Sequence, residues 1–194
     1  MSYLFKYYAG VYDSFMKKFN LDRNEEILKS LGDVGDKKIL DLGGGTGTLS
    51  DLLQRKGAEV TLVDPSIEMV EKAQLKNPHL IVYGNTLQDL EGKLQKKYFD
   101  TIIIRDALHH MRKPEEAIAL SHRYLKPDGE ILIWEFNIKY LKAKLIWLFE
   151  FLCFERCHRF TVEKLRQLCL PYFIEEELKD ERKLEILYRG RKRD

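Results

Sequence analysis

The chain has 194 residues, with 33 Lys and Arg against 31 Asp and Glu, for a formal charge of +2. Hydrophobic residues at 44% and charged residues at 33% give a globular balance and exclude a disordered chain. This length predicts one domain able to hold a core without disulfides or structural metal, and the charge carries no strong nucleic-acid signal. The N-terminus lacks the apolar run of a secretory signal, and no stretch of 18 residues is free of charge. Three cysteines without a CxxC pair predict no disulfide framework. The expectation is a reduced, cytoplasmic protein, monomer or homodimer.

In chain order, Tyr3–Phe19 and Arg23–Leu31 read as two helices, the second closed by Gly32. Five short apolar runs follow as strands: Lys38–Leu42, Glu59–Val63, Leu80–Tyr83, Thr101–Ile104 and Glu130–Trp134. Several are continuous and β-branched, as strands covered on both faces are. Between them lie helices with usable ends. Thr48–Lys56 stops at Gly57, Ser66 can cap Ile67–Lys76 before Asn77–Pro78, and Pro114 with Glu115 and Glu116 opens a helix to about Leu125. Pro127–Asp128–Gly129 turns the chain into the fifth strand. This alternation predicts an α/β fold with a parallel, doubly wound sheet. Beyond Trp134 come an apolar helix from about Lys139 to Phe154 and a second helix, Thr161–Leu170. Two strands, Phe173–Leu178 and Leu184–Tyr188, then form a hairpin around Lys179–Lys183.

The most informative stretch is Asp41-Leu42-Gly43-Gly44-Gly45-Thr46-Gly47-Thr48, a buried strand running through glycines into a helix. Glycines let backbone bend sharply and approach a ligand closely. The dinucleotide pattern GxGxxG fails: from Gly43 the third position is Thr48, and from Gly45 it is Ser50. Asp41, two residues before the first glycine, also favours a ligand carrying positive charge over a pyrophosphate. Asp64 ends the second strand, 23 residues after Asp41, where an acid can accept from both hydroxyls of a ribose. It could also serve as a helix cap or turn residue before Pro65.

These residues resemble the class I S-adenosylmethionine-dependent methyltransferases, particularly the type 11 group that includes ubiquinone and menaquinone biosynthesis methyltransferases. The resemblance covers roughly Tyr8 to Trp134 and the terminal hairpin. It implies a three-layer, Rossmann-like, seven-stranded sheet in the order 3-2-1-4-5-7-6 with strand seven antiparallel. It also implies S-adenosylmethionine as cofactor, with S-adenosylhomocysteine as product. Asp41, Gly43, Gly45 and Gly47 match the segment around the cofactor's methionine part. Asp64 matches the ribose acid, and Pro65 and Met69 match positions against adenine. Asn85 and Thr86, after Gly84, stand where the family usually has Asp-Ala, and the Asn carbonyl can accept from the adenine amine. The segment Phe99 to His110 resembles the fourth-strand motif, with Arg105 offering its backbone carbonyl to the cofactor. Tyr8-Ala9-Gly10-Val11-Tyr12-Asp13 is similar to the segment that closes over the cofactor, with Tyr12 as lid residue.

The resemblance divides the single domain into N-terminal helices and lid (1–36), cofactor-binding core (37–135), acceptor-side helices (136–170) and terminal hairpin (171–194). It implies methyl transfer to a small or lipid-like acceptor; a non-catalytic cofactor-binding module and an NAD-dependent oxidoreductase are the alternatives. A base is needed only if the acceptor must lose a proton. His109, His110 and Asp106, just past the fourth strand, are the candidates, each with a packing or capping role as the alternative. Twelve of the fifteen residues Tyr140–Phe154 are apolar, and residues 139–166 hold seven Lys and Arg against three Glu. That composition suits an acceptor cavity, peripheral membrane contact through 139–154, a dimer interface or ordinary core. Cys153, Cys157 and His158 have a spacing that could bind metal, but read better as small buried side chains, so no metal is expected. Arg189, Arg191, Lys192 and Arg193 read as a basic tail that keeps an edge strand soluble.

Overall fold

The computed structural model describes residues 23–144, 148, 158–181 and 184–194. Its elements run α1 (Asn24–Leu31), β1 (Lys38–Leu42), α2 (Thr48–Arg55), β2 (Glu59–Val63), α3 (Ile67–Lys76) and β3 (Ile81–Tyr83). They continue with β4 (Phe99–Arg105), α4 (Pro114–Tyr124), β5 (Leu125–Phe136), α5 (Val162–Cys169), β6 (Phe173–Glu181) and β7 (Glu185–Lys192). Short 3-10 turns at Gln88–Leu90 and Leu108–His110 flank β4.

The seven strands form one sheet in the order β3-β2-β1-β4-β5-β7-β6. The pairs among β1 to β5 are parallel, whereas β7 runs antiparallel to both β5 and β6. This is the order and sense the resemblance implied. Successive side chains on a strand point to opposite faces, and two apolar cores result. Ile39, Ile103, Leu132 and Leu187 pack beneath α1 and α2 with Ile27, Leu31, Leu49 and Leu53. Their neighbours Leu40, Ile102, Ile104, Ile131, Ile133, Ile186 and Tyr188 pack on the other face with Ile118, Tyr124, Leu165 and Phe173. Helices therefore cover both faces, which makes the three layers.

Several ends differ from the sequence reading. β5 begins at Leu125 and carries Asp128 at a φ of +60°, with a register shift against β4 between Phe99 and Thr101. The Pro-Asp-Gly segment is thus an irregularity inside the strand's span. β7 runs on to Lys192, so Arg189, Arg191 and Lys192 are strand residues. They do not guard an edge, because β7 lies between β5 and β6. Instead they pair with acids on neighbouring strands: Arg189 donates to Glu130 at 2.6 Å, and Arg191 lies 3.3 Å from Glu176. Periodicity could not supply that partner choice. The expected helix Tyr3–Phe19, with Tyr12, and Cys153 and Cys157 lie outside the described residues, as does most of 145–157. Among the described residues, no helix is long and apolar enough to cross a membrane.

Candidate active site

The parallel strands all end on one side of the sheet, and the chemistry-bearing residues collect where they end. β1 passes into the glycine turn, which is fastened to β2 by the Gly43 N–H donating to the Val63 carbonyl at 2.7 Å. Three of its glycines hold left-handed φ, namely Gly43 at +77°, Gly45 at +56° and Gly47 at +71°. Their missing side chains serve different ends. A Cβ on Gly43 would lie 2.3 Å from Ala107 Cβ, and one on Gly47 would lie 2.8 Å from Ala73 Cβ. Both glycines are therefore required by chain packing. At Gly45 a Cβ would meet nothing within 4 Å. Gly45 is the member of the turn that faces open space.

Asp64 stands beside it, just past β2. Its Oδ2 accepts from Gly45 N–H at 3.0 Å and its Oδ1 from Ser66 N–H at 2.8 Å. Burial pushes its carboxyl up to about 6, against the pull of those two N–H donors. The sequence alternatives for Asp64 were ribose acceptor and a helix cap or turn residue; the cap of α3 is Ser66, whose Oγ accepts from Met69 N–H at 3.3 Å. Asp64 orders the turn leading into that cap. Pro65 is exposed on this rim, with Ile67 beside it at 62% exposure, whereas Met69 is buried in the body.

Asp41 sits elsewhere than the mouth. It is buried beneath the glycine turn, where its Oδ2 accepts from Ser50 Oγ at 2.6 Å. Desolvation raises its carboxyl, opposed by Ser50 and by Arg105. A Cβ on Gly44 would come within 2.9 Å of Asp41 Cγ, so the turn lies directly over this side chain. At the end of β3, Asn85 is half-buried, while Thr86 exchanges hydrogen bonds with Asp89 in the following 3-10 turn. Arg105 sends its guanidinium away to Asn24 of α1.

Past β4, the structure brings together Asp106, His109 and two acids that sequence reasoning missed. Glu135, at the end of β5, is fully buried. Its Oε2 accepts from His109 N–H at 3.1 Å, and its Oε1 lies 2.5 Å from His109 Nδ1 and accepts from Phe136 N–H at 2.9 Å. Glu185, at the start of β7, is also fully buried and bonds Arg23 at 2.8 Å. The signal for Glu135 was present as the charge ending an apolar strand. Glu185 and Arg23 are 162 residues apart and gave none. The His110 ring lies 3.9 Å from that of His109, at the exposed rim. His158 N–H donates to the His109 carbonyl at 2.7 Å. Together His109, Glu135, Phe136, Ile138, His158, Arg159 and Phe160 line a small, open cleft.

Asp106 is the anomaly of the site. Its φ is +48°, it is only 9% exposed, and neither carboxylate oxygen has a hydrogen-bond partner among the described residues. Its N–H donates to the Trp134 carbonyl at 2.8 Å, which pins it between the ends of β4 and β5. Desolvation raises its carboxyl well above the ordinary value, and Glu135 and Glu185 raise it further against Arg105 and His109.

Known proteins bear on this arrangement. Residues 12–170 match the family model described as a methyltransferase domain. The ubiquinone biosynthesis O-methyltransferase of Yersinia enterocolitica is 31% identical over 128 residues, covering 63% of this chain and 52% of that protein. An uncharacterized methyltransferase of Staphylococcus carnosus is 32% identical over 139 residues, covering 67% of this chain and 65% of that protein. The chain thus matches about half the length of the Yersinia relative. Among solved structures, an S-adenosylmethionine-dependent methyltransferase from Mesorhizobium loti shares the fold with a TM-score of 0.75 at 19% identity, covering 88% of this chain and 98% of its own. Magnesium protoporphyrin IX methyltransferase from Synechocystis, solved with bound S-adenosylhomocysteine, has a TM-score of 0.68 at 20% identity, covering 88% of this chain and 81% of its own. With a family model spanning most of its length and its strand order, this chain belongs to the class I S-adenosylmethionine-dependent methyltransferases.

Proposed function

We propose that the chain transfers the methyl group of S-adenosylmethionine to a hydroxyl of a small or lipid-like acceptor. The observation that carries the cofactor half is the pairing of Gly45 with Asp64. The turn leaves open space at Gly45, and the Asp64 carboxylate at its rim spends one acceptor site of each oxygen on a backbone N–H. Each oxygen keeps further acceptor capacity, which suits a ribose diol. Exposed Pro65 and Ile67 offer apolar surface to the adenine, with Asn85 within the same rim.

S-adenosylmethionine supplies an electrophilic methyl, so the protein's task is to orient the acceptor, exclude water and take a proton. The His109–Glu135 pair suits the last. Glu135 accepting from Nδ1–H places the imidazole lone pair on Nε2, and its charge stabilises the imidazolium formed on proton uptake. His109 is the base in this reading and Glu135 its positioning residue. The cleft beside them, with Phe136, Ile138 and Phe160, supports an apolar acceptor, as does the Yersinia relative named for ubiquinone biosynthesis.

Thermal melting tests the cofactor half. A ligand at about 100 times its dissociation constant stabilises by roughly 2.7 kcal/mol. S-adenosylhomocysteine should raise the melting temperature and NAD should not; the reverse points to an oxidoreductase. Release of S-adenosylhomocysteine across a panel of catechols, phenols and amines tests the acceptor half. Turnover confined to amines would contradict the hydroxyl assignment, and no turnover despite cofactor binding would favour a non-catalytic module.

A further inference from the structure

A carboxylate buried without a partner is costly, and left-handed backbone at an aspartate adds to that cost. Asp106 carries both burdens at the point where β4 opens into the mouth of the sheet. The next residue, Ala107, is the one against which Gly43 is packed, so Asp106 adjoins the glycine turn. The charged groups acting on it are Arg105 from β4, His109 from the following 3-10 turn, Glu135 from β5 and Glu185 from β7. Arg105 donates to the neutral amide of Asn24, and Glu185 is paired with Arg23. His109 is in turn bound to Glu135. None of these groups hydrogen-bonds either carboxylate oxygen of Asp106, beside the place proposed for the cofactor.

Resting on the cofactor reading above, we propose that Asp106 is the counter-charge that makes the pocket prefer the positively charged S-adenosylmethionine over its neutral thioether product. The sulfonium ligand brings a charge that an ionised Asp106 can offset inside a desolvated site, where such attraction is strongest. The product has lost that charge with its methyl group, so Asp106 offers it nothing and product leaves more readily. Burial raises the Asp106 carboxyl and a neighbouring positive charge lowers it, so binding the sulfonium favours its ionised form. Binding the thioether does not.

Calorimetric titration of the full chain with S-adenosylmethionine and with S-adenosylhomocysteine, at pH 7 in buffers of differing ionisation enthalpy, tests this without any acceptor. Asp64 titrates alike for both ligands and cancels from the comparison. In the wild-type protein the sulfonium ligand should release more protons than the thioether, by up to one per site. Asp106→Asn, which tolerates the left-handed backbone, should abolish that difference. It should also lower the ratio of sulfonium to thioether affinity about tenfold, while thioether binding persists. A ratio unchanged by Asp106→Asn, or equal proton release by both ligands in the wild type, overturns the inference. The wild-type proton difference stands as a test even if the variant does not fold. A wild type that binds neither ligand instead overturns the cofactor reading itself.

Discussion

Gly43 and Gly45 stand two residues apart with left-handed φ, yet a methyl group should affect them differently. Both Gly→Ala changes incur the cost of left-handed backbone, about 1–2 kcal/mol. Gly43→Ala adds a collision with Ala107 and so a further overpacking cost of roughly 1–3 kcal/mol. Gly45→Ala meets nothing within 4 Å in the protein. Denaturant melts should therefore show the larger loss at Gly43, whereas binding of S-adenosylhomocysteine should suffer more at Gly45 in protein that remains folded. Equal effects on stability and on binding at both positions would remove the distinction between packing glycine and ligand-facing glycine. The same scale gives a test of the catalytic pair. Glu135→Gln should lower turnover more than it raises KM, and should change the pH–rate profile, because the imidazolium of His109 loses its charged partner.

The elements were legible where their apolar period and their caps coincided. Ser66 before Ile67–Lys76 and Thr161 before α5 both accept the expected backbone N–H. The strands β1 and β2 have the bounds that the sequence predicted. Legibility failed where a side chain's partner lies far along the chain. Periodicity placed Arg189 and Arg191 beyond a strand, because their acids on β5 and β6 are invisible to local pattern. In the site, local pattern put Gly45 and Asp64 at the ends of neighbouring strands, where they meet, but not Asp41 beneath the turn with Ser50. Glu135 stood out locally as a charge ending an apolar strand, but its role depends on His109, 26 residues away. The insertion of β7 between β5 and β6 carries its own expectation. Phe173→Ala, on β6 and fully buried in the core below that pairing, should cost about 3–5 kcal/mol and expose both strands to hydrogen exchange. A loss below about 1 kcal/mol would mean that the hairpin adds little to the sheet.

Across the whole molecule, the strand ends around the glycine turn carry acids, one beneath the turn and two beside the mouth, that folding alone would not favour. Asp41, Asp64 and Asp106 all have carboxyls raised by burial. A raised carboxyl binds its proton more tightly in the folded than in the unfolded state, so its contribution to stability is lost as pH rises through the folded value. For Asp64 that window runs from about 6 down to its ordinary value of 3.8. Without ligand, Asp64→Asn should thus melt higher than wild type at pH 7 to 8, with the difference shrinking toward pH 4. Cofactor binding has the opposite dependence, because the ribose needs the ionised carboxylate, and affinity should fall as pH drops below about 6.

The account rests on Asp64 gripping the cofactor beside Gly45, and calorimetric titration of wild type and folded Asp64→Ala with S-adenosylhomocysteine tests that most directly. The prediction is one site per chain in the wild type and an affinity at least about tenfold weaker in the variant, the loss of one charge-assisted contact. Unchanged affinity in the folded variant would contradict it.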